Sequence, residues 1–293
     1  MRIHFKQLLR TFILGGFTAY FIQLHYTGDI EKFINPKYDL TSKIAAGIFA
    51  FFFFVQLLRV WEIKHRGHDS CTNDCDHHHD SDSWMKRFIG HAIIIFPLVT
   101  GFLLSPVTLD ASIAAKKSSI LDRTNQTESN EESSGSTDVR HQTPMPNDNY
   151  FAEDEFDQAM EEFQETDMIQ MEDQMYGAYY ETIEENPKNF IGKKIKMNGF
   201  VYREDDFKSN QLILARFYMI HCVADTRVIG FLSEFEEAGK MEEDTWLEIE
   251  GTLDITTYHE AELPVIRVEG WTVIDEPEDP YVYPPIIQLV GEG

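Results

Sequence analysis

The 293-residue sequence predicts a membrane α-helical part followed by a mainly β part. The expected fold is three transmembrane helices, then a tethered OB-like β-barrel domain with a leading helix. Three observations carry this expectation. Three long apolar runs fall within the first 110 residues. The charge is divided: residues 1–110 hold 11 Lys/Arg against 10 Asp/Glu, and residues 111–293 hold 14 against 40, so net charges of +1 and −26 make up the formal −25. After Pro187 the apolar residues begin to alternate, as they do in half-buried strands.

The first run, TFILGGFTAYFIQLHYTG (11–28), follows Arg2, Lys6 and Arg10. A cleaved signal peptide would need a small-x-small site, and Leu24-His25-Tyr26 does not supply one, so the run reads as a retained helix. The second run, IAAGIFAFFFFVQLL (44–58), is bracketed by Lys43 and Arg59, whose stems can snorkel. The third, FIGHAIIIFPLVTGFLLSPVTL (88–109), contains Pro97, which should kink it. Each approaches the length that crosses a hydrocarbon core of about 30 Å. His25 and His91 fall near the expected membrane surfaces and read as interfacial residues.

Orientation follows from basic residues in the short loops. The amino terminus (Arg2, Lys6, Arg10) and the 59–87 loop (Arg59, Lys64, Arg66, Lys86, Arg87) together hold eight, against three in the 29–43 loop (Lys32, Lys37, Lys43). The first two are therefore expected in the cytoplasm, and the acidic 110–293 region outside. The expected organisation is a transmembrane domain over 1–110, a disordered linker over 111–150, and an extracytoplasmic domain over 151–293. The linker is rich in Ser, Thr, Asn, Gln and Glu and poor in large apolar residues, so it cannot bury enough surface to order itself. Asn125-Gln126-Thr127 fits a glycosylation acceptor pattern, but nothing in the sequence suggests a eukaryotic secretory route.

The cytoplasmic loop at 62–86 contains HRGHDSCTNDCDHHHD (65–80). His65, His68, Cys71, Cys75, His77, His78 and His79 are candidate metal ligands. The Cys71-x3-Cys75 spacing lies in the range that zinc sites use. Thiolate and imidazole together favour Zn²⁺ or Cu(I) over Mg²⁺ or Ca²⁺. The surplus of ligands fits a flexible chelating loop better than a closed finger. The alternative is a solvated polar tract that meets metal incidentally.

In the outer part, Phe156, Met160 and Phe163, then Met168, Met171, Met175 and Tyr179, recur at helical spacing over 151–185 and read as core. Strands are expected over 192–205, 211–234 (two strands or one bent strand), 245–257 and 264–275. Gly199, Gly251 and Gly270 would mark bulges or corners. About five strands after a helix predict a small closed barrel, with a β-sandwich as the alternative. Tyr202, Phe207 and Tyr218 could stack on bases, but the acidic balance repels phosphate backbones, so no nucleic-acid partner is expected. His221, Cys222, Ala224 and Asp225 form a motif between strand-like runs; its thiol could be a ligand, a nucleophile or a buried filler. Three cysteines make no disulfide framework. Nor does the sequence show a GxSxG, an HExxH or a phosphate-cradling loop, and no enzyme is expected.

Three runs carry a family resemblance: NPKNFIGKKIKMNGFVYRED (186–205), ARFYMIHCVADTRVIGFL (215–232) and DEPEDPYVYP (275–284). With the membrane layout, they resemble the YcgQ-like family of bacterial membrane proteins. Cys222, Ala224 and Asp225 are the most specific part, and His221 stands where members often carry a second Cys. The resemblance implies a multi-span permease partner of the YraQ/YcgR type and a link to zinc homeostasis, and it supplies no catalytic residue. The expected function is thus a multi-pass accessory protein of a permease system in the cell membrane. An envelope scaffold is the alternative, and a thiol-dependent envelope enzyme a further one.

Overall fold

The computed structural model describes residues 5–60, 84–104, 106, 108–116, 150–204, 206–258 and 261–288. The chain divides into two compact units. One is Met1–Phe33 with Tyr38–Val107, and the other is Ile34–Lys37 with Thr108–Gly293.

The first unit holds three long helices, α1 (Phe5–Thr27), α2 (Asp39–Val60) and α3 (Trp84–Leu103). Small residues bring them together. A Cβ at Gly15 would lie 2.8 Å from the Phe53 ring, and one at Gly16 would lie 2.5 Å from Leu98. Phe17 and Phe21 stack on Phe49, and Tyr20 meets Phe102 edge-on. Thr11 and Thr18 donate to the carbonyls of Gln7 and Leu14 at 2.9 and 2.8 Å, so these hydroxyls are satisfied within α1. His25 reaches α2: its Nε2 lies 3.1 Å from Ser42 Oγ and its Nδ1 3.4 Å from Asp39, which also pairs with Lys43 at 2.6 Å. The outward faces are apolar, with Phe12, Phe51, Phe96 and Leu103 exposed. By length and composition, Pro36–Arg59 is the one stretch among the described residues able to cross a membrane, and Ile89–Leu103 is a shorter apolar helix. Such a large exposed apolar surface would be unstable in water.

The second unit is a β domain. Its elements are α4 (Ala111–Lys116), β1 (Tyr150–Ala152), α5 (Glu153–Glu165), β2 (Met168–Gln170), α6 (Tyr176–Glu185), β3 (Lys194–Tyr202), β4 (Gln211–Tyr218), β5 (Arg227–Glu234), β6 (Trp246–Tyr258), β7 (Ala261–Val273), β8 (Tyr281–Val282) and β9 (Ile286–Gln288). Five strands pair in a cycle, β3–β6–β7–β5–β4 and back to β3. All these pairings are antiparallel except β5–β7. Register is fixed at each seam, for example Ile195↔Gly251, Phe200↔Ala215 and Leu232↔Val265. Glu250 pairs with Gly270 and Gly251 with Val268, so Glu269 is the extra residue of a bulge. β2 and β8 flank the cycle, while β1 and β9 form a separate parallel pair.

β4 is buried along its whole length, because alternate residues enter different cores. Leu212, Leu214 and Tyr218 join Ile195, Phe231, Leu247 and Ile266. Ile213, Ala215 and Phe217 join Phe200, Trp246 and Tyr281.

Several expectations are corrected here. The leading helix is two helices, since Thr166 ends α5 and residues 168–170 form a strand. The methionine stripe is therefore not one helical face. Met171 and Met175 are buried and Met168 is exposed. The segment expected as linker begins with a helix whose Ala111 and Ala114 are buried in the second core; residues 117–149 lie outside the described residues. Tyr202 and Tyr218 are buried core rings rather than a stacking platform, and Phe207 packs edge-on against Tyr258.

Candidate functional site

The predicted ligands His65, His68, Cys71, Cys75, His77, His78 and His79 all lie outside the described residues. Among the described residues no group of three or more His, Cys, Asp or Glu converges as a metal site.

The His221–Asp225 motif is described, and it is a turn joining β4 to β5. Asp225 organises it. Its Oδ1 accepts the backbone N–H groups of Cys222 and His221 at 3.0 and 3.1 Å, and its Oδ2 lies 2.7 Å from His221 Nδ1. Burial pushes the Asp225 carboxyl up, but those two N–H groups and the His221 ring outweigh it and hold it below the usual carboxylate range. Asp225 N–H and the Thr226 hydroxyl both donate to the Cys222 carbonyl. The His221 side chain is 62 % exposed. Cys222 is half-buried with a free thiol, so it does not lie in the buried core of the β domain. Ala224 is exposed in the same turn. The motif brings imidazole, thiol and carboxylate close in sequence, yet its polar atoms are largely spent on holding the backbone.

Asn35 grips the start of this turn. Its side-chain amide donates to the carbonyls of Met219 and Ile220 at 3.1 and 3.0 Å, and its backbone N–H donates to the His221 carbonyl at 3.0 Å. Asn35 Oδ1 accepts the Lys37 N–H at 2.9 Å. Asn35 is 2 % exposed, and Ile34 forms an antiparallel bridge with Cys222.

Sequence reasoning missed a second constellation, centred on Arg216. This β4 side chain is fully buried. Its Nη1 donates to Asp173 at 2.8 Å and also to Asn198. The rings of Trp246 and Tyr176 flank the guanidinium, 5.3 and 5.7 Å from it, in cation–π range. Nearby, burial pushes the Asp279 carboxyl up against the opposing Tyr281 N–H, Tyr283 hydroxyl and Arg216 charge. The signal in the sequence was a lone cation inside the apolar run QLILARFYMI. Its partners come from four separate places in the chain, which no local pattern announces.

A helical unit with an exposed apolar helix, joined to a β domain built on a five-strand cycle, defines a membrane-associated protein with a folded polar module. The chain belongs to the DUF1980 family: the DUF1980 N-terminal domain matches residues 9–119 and the DUF1980 C-terminal domain residues 146–284. It is similar to the UPF0703 protein YcgQ of Bacillus subtilis, 32 % identical over 289 residues that cover 94 % of this chain and 99 % of the relative. It is also similar to a protein of Streptococcus mutans named putative two-component membrane permease complex subunit, 24 % identical over 282 residues that cover 94 % and 99 %.

Proposed function

We propose that this protein is a multi-pass accessory subunit of a two-component membrane permease complex. The observation that carries the reading is the end-to-end match with the Streptococcus mutans relative bearing that name. The apolar Pro36–Arg59 stretch, with two further long helices whose outer faces are apolar, supports a membrane part. A three-span arrangement with the β domain outside the cytoplasm is supported by the three apolar runs and the loop Lys/Arg distribution of the sequence. The strand cycle, with β5–β7 as its single parallel seam, supports an OB-like barrel serving as a recognition module. No catalytic step is assigned to it.

Affinity purification of the full chain from crosslinked membranes tests the assembly. A multi-span partner should be recovered in fixed proportion. Recovery of the chain alone after crosslinking overturns the reading.

The loop at 62–86 is proposed to handle Zn²⁺ on the cytoplasmic side, supported by its seven His and Cys ligands. Cys71 and Cys75 should dominate, because the three adjacent histidines can replace one another and thiolates bind zinc strongly. Cys71→Ser/Cys75→Ser should sharply lower zinc affinity in equilibrium dialysis, most at neutral pH and above. Unchanged affinity removes the cysteines as ligands.

A further inference from the structure

β7 loses one neighbour halfway along. It pairs with β5 over Val265–Arg267, and β5 then ends at Glu234, where the chain turns into a short 3-10 helix, Glu236–Lys240. Past Arg267, β7 keeps β6 on one side and has no strand on the other among the described residues. Glu269–Val273 are exposed without interruption, so both faces of the strand are open there. Antiparallel ladders alternate between hydrogen-bonded and non-hydrogen-bonded pairs. The Ile274 N–H donates to the Trp246 carbonyl at 2.9 Å. Thr272 and Gly270 therefore turn their N–H and C=O groups to β6, opposite Glu248 and Glu250, while Trp271 and Val273, opposite Ile249 and Leu247, turn theirs to the open edge.

Side chains alternate in the same way. Ile249 and Leu247 point into the core, so Trp271 and Val273 share the core-facing side, yet they are 38 % and 56 % exposed. The Trp271 ring lies 6.2 Å from that of Phe235, at the end of β5. The opposite side of this stretch is small: Gly270, where a Cβ would meet nothing within 4 Å, and Thr272. Sheets ordinarily protect an edge with Lys, Pro or an inward charge. This one carries Trp and Val where its backbone is open.

We propose that this edge of β7 takes an extended basic segment of a partner protein as an added strand, with apolar and Lys/Arg residues alternating along it. The apolar residues cover Trp271 and Val273. The basic ones lie over Gly270 and Thr272, which are short enough for a long side chain to reach past them to Glu250 and Glu248. Glu248 and Glu269 already pair with Lys196 and Lys194, and Glu250 is exposed. Charge selects the occupant. Residues 268–293 hold six Asp/Glu and no Lys/Arg, exposed Asp275 and Glu276 continue the strand, and Glu236 and Glu237 open the helix that follows Phe235. A second copy would bring the same acids to the edge. Residues 117–149 of this chain hold six Asp/Glu against three Lys/Arg, so both are repelled where a cationic strand is attracted. The site belongs to the β domain, and its test does not require the permease assembly.

The test is fluorescence anisotropy of a labelled Lys-Val-Lys-Val-Lys-Val-Lys peptide, titrated with the full chain in an uncharged detergent at physiological ionic strength. Wild type should bind it, and should not bind the peptide with Glu in place of Lys. Val273→Pro removes an N–H that faces the open edge and leaves the bonds to β6 in place, a position where proline is tolerated. It should melt near wild type and bind at least tenfold more weakly. Where that variant does not fold, Trp271→Ala decides: it removes an exposed ring, so the fold should survive and binding should weaken about tenfold. No binding by wild type overturns the proposal. So does equal binding by both variants, which would be adhesion to acidic surface at large. Sedimentation of wild type as a dimer that Val273→Pro converts to monomer would give the edge to a second copy and overturn it as well.

Discussion

Cys222 gives its backbone rather than its sulfur to the turn it sits in. Its N–H goes to Asp225 and its carbonyl takes Thr226 and Asp225. Cys222→Ala and Cys222→Ser should therefore both melt within about 0.5 kcal/mol of wild type. Asp225→Ala removes the acceptor of two N–H groups and should cost more than either, on the order of 1 kcal/mol. Equal losses for Cys222→Ala and Asp225→Ala in thermal denaturation would restore a packing role to the thiol. The motif was legible in sequence as a cluster of reactive types, because His, Cys and Asp stood within five residues. What the sequence hid is that the nearest groups for Asp225 were its own backbone amides.

A different carboxylate adds a pH dependence of its own. Burial pushes Glu184 on α6 from its ordinary 4.5 up to about 7. The folded protein thus holds this proton more tightly than the unfolded chain. Its contribution, about 2–3 kcal/mol, is complete below about pH 4.5 and is lost as pH rises through about 7. Glu184→Gln, which cannot ionise, should match wild type near pH 4 and melt higher at pH 8. A variant that gains nothing at pH 8 would show that Glu184 ionises without penalty.

At the scale of elements, the strands that alternate between core and surface were readable, and the others were not. The first half of β3, Lys194–Asn198, and β6 over Leu247–Leu253 show one buried face, so their apolar residues repeat every two positions. β4 is buried on both faces and shows no alternation, which is why 211–234 could be read as one strand or two. The break between α5 and β2 was invisible because neither Gly nor Pro marks it. Thr166 does the work locally: its hydroxyl accepts the Met168 N–H at 3.2 Å, and its own N–H closes α5 on Glu162 at 2.9 Å.

Glycines in the strands have two different meanings. A Cβ at Gly230 would lie 2.3 Å from the Leu214 carbonyl oxygen and 2.8 Å from Ala215 Cα, both backbone atoms that cannot step aside. At Gly270, beside the bulge, nothing lies within 4 Å. Gly230→Ala should cost about 3 kcal/mol, and Gly270→Ala less than about 1 kcal/mol. Similar melting temperatures for the two variants would mean that β4 and β5 separate at no cost.

For the whole molecule, the decisive property is the division of charge between the first 110 residues and the rest. A net of +1 in the amino-terminal part leaves orientation to the local excess of Lys and Arg in its short loops, and a net of −26 in the remainder imposes no barrier of its own, since acidic residues weigh little in the positive-inside rule. Residues 59–87 should then lie in the cytoplasm and residues 108–288 outside. The measurement starts from a Cys71→Ser/Cys75→Ser/Cys222→Ala background. One cysteine is placed at exposed Ser209, before β4, and in a second variant Cys75 alone is restored. A membrane-impermeant maleimide should label Ser209→Cys in intact cells and reach Cys75 only after permeabilisation. Zinc handling by the loop depends on this outcome, because thiols stay reduced and able to bind metal in the cytoplasm but are oxidised outside many cells. Strong labelling of Cys75 in intact cells would invert the orientation, place the β domain in the cytoplasm, and turn the His-rich loop into an outward-facing metal receptor.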